Sequence, residues 1–372
     1  MVPTNQTNNG GQVTREPIQP APLETREGDS NIEIHIPSLQ ITEQFLDALR
    51  NATLENSKMD LEDITRLREP EHDTFSVDIS DKHLVKALRI FLASTNSSRE
   101  HYEQIHKIAM DTYPDEPFLS FDQIKRRVEW ISGVVPLLHD MCINTCHAFT
   151  GPYADLDKCP TCLTSRHHPE TGKARRQFTT VPIGPILQAF YGSSETARHM
   201  HYLERKLGDN TTYAKNHNGA IEEYNDTSCS KDLLDAWAAG KFTKDDIALQ
   251  ISIDGAQLYH DKESDSWIFI WIVHNLPPDF RYKKSFIIPG AIVPGPKKPK
   301  EIDSFLFLSL HHVSGLQHEG LRLWDVSTDS IVPRSKVSII FATADGPGVA
   351  SMSGMVGHSG KYGCRLYCEI PG

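Results

Sequence analysis

The sequence has no apolar run approaching the ~18 residues that a membrane span needs, and its opening, MVPTNQTNNGGQ, is too polar for a secretory leader. The chain therefore reads as a soluble, intracellular protein with no membrane partner. Gly-rich phosphate loops, Gly-x-Ser-x-Gly elbows and His-Glu-x-x-His helices are all missing, which leaves nucleotide hydrolysis, esterase and zinc-protease chemistry without support. Positive charge is in deficit: 38 Lys and Arg face 49 Asp and Glu, a net −11, so a uniformly basic nucleic-acid coat is excluded while local basic patches are not. The imbalance is uneven. Residues 1–150 hold 14 basic and 24 acidic side chains, whereas the remainder holds 24 and 25. Cysteine is sparse, seven in 372 residues, and in a reducing compartment these read as metal ligands or buried thiols rather than disulfides.

What is present changes character along the chain. Residues 1–35 are rich in Asn, Thr, Pro and Gly and read as a disordered tail, since they cannot bury enough surface to offset chain entropy. From 36 to 141 the apolar spacing is helical, as in Leu84, Leu88, Phe91 and then Ile105, Ile108. A capping-box pattern, Ser120 with Gln123, opens a helix expected to run through Val128, Ile131, Val135 and Leu138. Residues 142–180 form a Cys- and His-rich module, and 181–245 read as a helical linker region with a helical stretch near 184–207. From 246 the period becomes two. Ile247, Leu249, Ile251 and Ile253 alternate with smaller or polar residues in a half-buried strand ending in Asp-Gly. Trp267–Val273 suits a central strand covered on both faces, and Phe286–Val293, broken by Pro289 and Gly290, suits a strand with a bulge or an edge position. An apolar helix over Phe305–Leu323 and a fourth strand, Val337–Ala342, complete the order.

Three constellations carry chemistry. Cys142-x3-Cys146-x12-Cys159-x2-Cys162 is two close pairs, the spacing of a tetrahedral structural Zn2+ site, with His147 as an alternative ligand for one position. A closed four-ligand site positions rather than catalyses. Lys158, Arg166, Lys173, Arg175 and Arg176 surround it, either touching phosphate or forming a solvated face. Cys364 and Cys368, with His358 upstream, make half of a second metal site. The third constellation is Asp254 and Asp345, at the ends of the first and fourth strands. Three strands, a helix and a fourth strand is the order of the ribonuclease-H-like fold, in which those two strands are neighbours. Their terminal carboxylates would then converge on Mg2+ or Mn2+ for two-metal phosphoryl transfer. Arg281, Lys283 and Lys284, then Lys297, Lys298 and Lys300, flank the third strand as candidate DNA contacts. The loop PGPKKPK is also like a nuclear-import signal, which points to the nucleus.

The runs MCINTCHAFTGPYADLDKCPTC, RRQFTTVPIGPILQAFYGSSETARHMHYLE, ISIDG, IVHNLPP, IIPGAIVPGPKKP, ATADGPG and GHSGKYGCRLYC together resemble the catalytic protein of CACTA (En/Spm-type) DNA transposons, particularly the fungal branch. The resemblance spans about residues 120–372. It implies a cut-and-paste transposase with an Asp, Asp, Glu triad, a divalent metal and the transposon's terminal repeats as substrate, acting as a homo-oligomer or with an accessory transposon protein. Asp254 matches the first carboxylate, Asp345 the second, and Cys364 with Cys368 the start of a cysteine motif that follows it. The matching Glu lies further on in that family. The expectation is thus an α+β chain: a helical region, a zinc-knuckle module, and a ribonuclease-H-like domain over 246–372 that stops before the third carboxylate, a fifth strand and a last helix. The alternative is an inactive relic or domesticated fragment that binds DNA or protein through its zinc module.

Overall fold

The computed structural model describes residues 36–70, 80–220, 226–257, 265–295, 297–354, 356, 360 and 361. The tail expected over residues 1–35 and the second metal half-site, His358, Cys364 and Cys368, fall outside the described residues. Contacts divide the chain into two units between Gln40 and Ile41; residues 36–40 of the first are described and begin helix α1 (Pro37–Arg50), and every later element belongs to the second.

Helices dominate up to residue 132: α2 (Leu61–Arg68), α3 (Lys82–Ala93), α4 (Arg99–Thr112) and α5 (Phe121–Ser132) follow α1. The last three close a small core of their own on Ala87, Tyr102, Phe118 and Ile124. The Ser120–Gln123 capping box starts α5 as the sequence predicts. The helix ends sooner than expected. Gly133 takes the left-handed conformation at φ 66°, Pro136 has no N–H to extend the ladder, and Leu137–Asp140 becomes strand β1. β1 pairs antiparallel with β2 (Gln177–Thr180), Asp140 opposite Gln177, so the cysteine-rich residues 141–176 hang from one end of this hairpin.

The helical stretch expected near 184–207 is three helices, α6 (Ile183–Tyr191), α7 (Ser194–Met200) and α8 (Tyr202–Asn216): Gly192 and an extended Ser193 interrupt it once, and His201 interrupts it again. Helix α9 (Lys231–Ala238) precedes the main strands. These are β3 (Ile247–Gln257), β4 (Asp265–Val273) and, after the short α10 (Pro278–Arg281), β5 (Ile288–Pro294). Helix α11 (Ile302–Glu319), a hairpin of β6 (Leu321–Asp325) and β7 (Ser330–Ser335), strand β8 (Val337–Ala344) and helix α12 (Gly346–Ser353) complete the fold. The apolar helix read over Phe305–Leu323 is cut at Gly320, φ 82°, where the chain turns into β6 with Leu321 and Leu323 buried and Arg322 exposed.

The result is a mixed six-stranded sheet in the order β1-β2-β5-β4-β3-β8, with β8 parallel to β3 and the other pairs antiparallel. Leu249, Ile251, Ile253, Phe269, Trp271, Val273, Ala291 and Val293 form its inner face, packed on α11 and α6. Helix α11 is apolar on most sides because the sheet, α1 and α6 surround it; fully buried side chains such as Phe305 and Leu316 each contribute roughly 1.5–3 kcal/mol. On the outer face Leu203 and Leu207 of α8, Leu233 of α9 and Phe242 beyond it cover Ala248.

Strand β5 is not an edge, since β2 pairs on its other side, but it carries the expected bulge: Ala291 opposes Phe269 and Pro289 opposes Ile270, with Gly290 extra. The bulge tolerates the missing N–H of Pro289. Gly290 itself leaves room for the Trp271 indole, whose Nε1 would lie 2.6 Å from an added Cβ. Gly290→Ala is expected to lower stability by about 1–3 kcal/mol, read as a lower urea midpoint at unchanged m-value. An unchanged midpoint would show that the indole has somewhere else to go.

Candidate functional site

Each cysteine pair sits on a tight turn. Thr145 N–H donates to Cys142 O (2.8 Å) and Leu163 N–H to Cys159 O (2.8 Å), and each turn closes through a left-handed residue, Thr145 at φ 56° and Leu163 at φ 58°. The two turns face one another, bringing the sulfurs of Cys142, Cys146, Cys159 and Cys162 within 4.8 Å of one another, with Cys142 and Cys162 3.5 Å apart. Four thiolates around Zn2+ at ~2.3 Å stand about 3.8 Å apart, so the group fits that ion. Backbone N–H groups already point at sulfur: Asn144 at Cys142 (3.4 Å) and Cys162 at Cys159 (3.4 Å), with the Asn144 amide 3.6 Å from Cys162. Burial pushes the Cys146 thiol up, and hydrogen bonds shared with Cys162 and Cys142 push the same way. At Cys162 burial also raises the thiol, but bonds from Thr164 and Asn144 outweigh it and hold it near 5. Such crowded thiols do not all ionise without a cation to offset their repulsion. These four could hold a metal ion such as zinc, and among the described residues they are the one group of three or more His, Cys, Asp or Glu ligand atoms drawn together.

His147 stands outside the group. Its Nδ1 bonds Ala148 O (2.8 Å) and its ring packs on Phe149 and Tyr153. Arg166 and Arg176 also turn inward, the first pairing with Asp140 (2.7 Å), the second donating to Ile143 O (3.0 Å) and to Gly295 O. Lys158, Lys173 and Arg175 remain exposed. Cys229 is a buried thiol away from this group.

The aspartates lie at the opposite side of the sheet. The β3–β8 register ends at Ile253 opposite Ala344, so Asp254 and Asp345 follow on neighbouring parallel strands, both exposed. Parallel strands run ~4.8 Å apart, so the two residues leave the sheet close together at the same end. Asp345 also caps α12, accepting from Gly348 N–H at 2.7 Å. Gly348 is tight against this end: a Cβ there would meet Asp345 Oδ1 and Ala344 Cβ at 2.7 Å each. No third acidic or histidine side chain joins the pair among the described residues.

The candidate cations divide. Arg281 is a correction: its guanidinium is 1% exposed, paired with Asp226 (2.9 Å) and bonded to His274 Nδ1 and His274 O, so it is unavailable to a strand of DNA. That network continues from His274 Nε2 to Gln250 (2.8 Å) and from Gln250 to Thr343 on β8 (2.8 Å). Lys283 lies over the Phe280 ring (4.3 Å) and Lys284 bonds Asn96 (2.9 Å). Both precede β5, at the sheet end where Leu249 faces Val273, roughly 17 Å along the strands from Asp254. Lys297, Lys298 and Lys300 instead follow β5, at the aspartate end, and are exposed. Lys298 Nζ is 3.5 Å from Pro347 O, in the first turn of α12, and 5.2 Å from the Trp267 ring. Trp267 was not foreseen as part of this surface: its ring lies against Gly255, next to Asp254, and only strand pairing brings it there.

Residues 219–370 match the family model described as Transposase family tnp2. The stretch contains α9, the four central strands, both aspartates and all six candidate cations; the four-cysteine group precedes it. No curated protein matches the chain.

The cysteine geometry predicts about one equivalent of zinc per chain by elemental analysis, lost when Cys159 and Cys162 are both changed to Ser. Full retention in that double variant would show that other residues hold the metal.

Proposed function

We propose that the chain is a transposase-related protein of the CACTA (En/Spm) type, in its fungal branch, that binds transposon-end DNA in the nucleus and carries a metal-dependent strand-transfer site on a ribonuclease-H-like sheet. The observation that carries the reading is the parallel β3–β8 register, whose last pair, Ile253 and Ala344, immediately precedes Asp254 and Asp345. The strand order β5-β4-β3-β8 supports the fold assignment, and the tnp2 match over the same residues supports the class of reaction.

Two exposed carboxylates at neighbouring strand ends suit a hard divalent cation such as Mg2+ or Mn2+, which prefers oxygen ligands and leaves positions for a phosphate. Bound there, the ion would polarise a phosphodiester and activate water or a 3′-hydroxyl. The chain's own part is to hold the acceptors. Asp254 extends from β3, which is paired on both sides, and Asp345 is fixed by the Gly348 N–H, which keeps its carboxylate at the start of α12. Lys297, Lys298 and Lys300 supply the cationic surface that tracks a phosphate backbone, each contact adding a salt-sensitive increment. Their loop is also the candidate import signal. The four-cysteine group takes structural zinc, closed to substrate and therefore a positioning site. Partners are the terminal repeats, with a second copy or an accessory transposon protein.

A second reading is favoured by the pair's lack of a third ligand among the described residues: a binding protein that grips DNA or a partner without cleaving it. Supercoiled plasmid with Mn2+ separates the two. The first reading predicts nicked circles with the unaltered chain and a fall of at least about 100-fold with Asp254→Ala or Asp345→Asn, the latter chosen because Asn preserves the helix cap. Equal background in all three chains would leave the binding protein.

A further inference from the structure

The segment that follows β5 is held by the first cysteine turn. Lys300 N–H donates to Thr145 O (3.3 Å), Glu301 N–H to Cys146 O (2.9 Å), and Lys297 Nζ to Asn144 Oδ1 (3.3 Å). Arg176 clamps the same two pieces together, donating to Ile143 O and to Gly295 O. Pro299 is buried at this seam while the lysines on either side of it face solvent. Residues 143–146, which supply these partners, are the three residues between two of the sulfur ligands and the second of those ligands, Cys146. Thr145 is held at φ 56°, a conformation that costs a β-branched residue free energy, and its hydroxyl is buried without a partner. The shape of this turn therefore depends on what draws Cys142 and Cys146 together. At its other side the same loop presents Lys298 to Pro347 and Trp267, and those two border Asp345 and Gly255 respectively.

We propose that Zn2+ on Cys142, Cys146, Cys159 and Cys162 sets the geometry of the basic loop, and that the loop thereby holds the Lys298 ammonium at the sheet end that carries Asp254 and Asp345, against the first turn of α12, to take a backbone phosphate of the bound nucleic acid. The nucleic-acid half of this inference rests on the reading of the sheet end given above; the loop-setting half does not. The chemistry is consistent. Two carboxylates repel a phosphodiester, and a fixed cation beside them offsets that repulsion. A lysine on an unsupported loop would lose rotamer and backbone freedom on meeting its phosphate. Stacked over Trp267 and anchored through the cysteine turn, Lys298 has lost most of that freedom already.

The test uses the full chain, zinc-loaded and after chelation. Amide hydrogen exchange is expected to quicken at least tenfold at Lys300 and Glu301 on zinc removal, while amides of the β3–β4 pair keep their protection. Anisotropy titration of a short fluorescent DNA duplex supplies the second arm. Lys298→Ala is expected to lower the magnitude of the slope of log K against log salt by about 1, zinc removal to do the same, and the two together to do no more. Should zinc removal unfold the sheet as well, Arg176→Met, with its zinc content checked, detaches the loop and is expected to reproduce the Lys298→Ala result. Unchanged exchange at Lys300 and Glu301 in zinc-free chain with an intact sheet overturns the inference. So does an Arg176→Met chain that keeps its zinc and the full salt slope. Zinc-dependent loop protection without any DNA affinity would instead overturn the nucleic-acid reading and leave the loop-setting role standing.

Discussion

The parallel pairing of β3 with β8 is the constraint on which the rest of the molecule depends. Parallel neighbours need a long crossover, and here it comprises β4, β5, α11 and the β6–β7 hairpin. That crossover explains why α11 is buried on most sides and why Gly320 must stop it, so that a hairpin can return the chain to the sheet. Register matters as much as pairing. A slip by one residue would carry Asp254 to the opposite face, where Ile253 now lies in the core. The irregularity at Leu249 and Gln250 is absorbed before the strand ends, and the buried Asp226–Arg281–His274–Gln250 chain reaches Thr343 at that point. Arg281, absent from the charged surface, serves the sheet from beneath it.

A second consequence concerns the cysteine module. It is an excursion from the β1–β2 hairpin, leaving at Asp140 and returning at Gln177. Because β2 pairs antiparallel with β5, that end of the hairpin lies where β5 runs out toward its lysines. The cysteine turn and the basic loop are therefore brought together by sheet topology, Asn144 and Lys297 being 153 residues apart in sequence, and their hydrogen bonds follow from that placement.

Much of this was legible in the sequence. Alternation over Ile247–Ile253 identified β3 and its inner face, and the paired cysteine spacing identified the thiol group before its sulfurs were seen together. Local signals misled where one residue overrode a periodic pattern. Apolar spacing runs on through Val135 and Leu138, and again through Leu321 and Leu323, but Gly133 and Gly320 adopt left-handed φ and end both helices. Charge was the least legible property, because a cation's role depends on its partner. Arg281 and Lys283 are two residues apart; one is sealed against Asp226 and the other stands over an aromatic ring in solvent. Nor does any spacing connect Lys298 with Trp267 and Pro347, which meet only when β5, β4 and β8 lie in one sheet.

The proposed function requires Asp254 and Asp345 to act together as one divalent-cation site. Electron paramagnetic resonance of Mn2+, titrated into the zinc-loaded chain with a DNA duplex present, tests it most directly. The account predicts a bound Mn2+ whose affinity falls at least tenfold in Asp254→Asn and again in Asp345→Asn, with neither substitution altering the zinc content. Equal Mn2+ affinity in all three chains would contradict it.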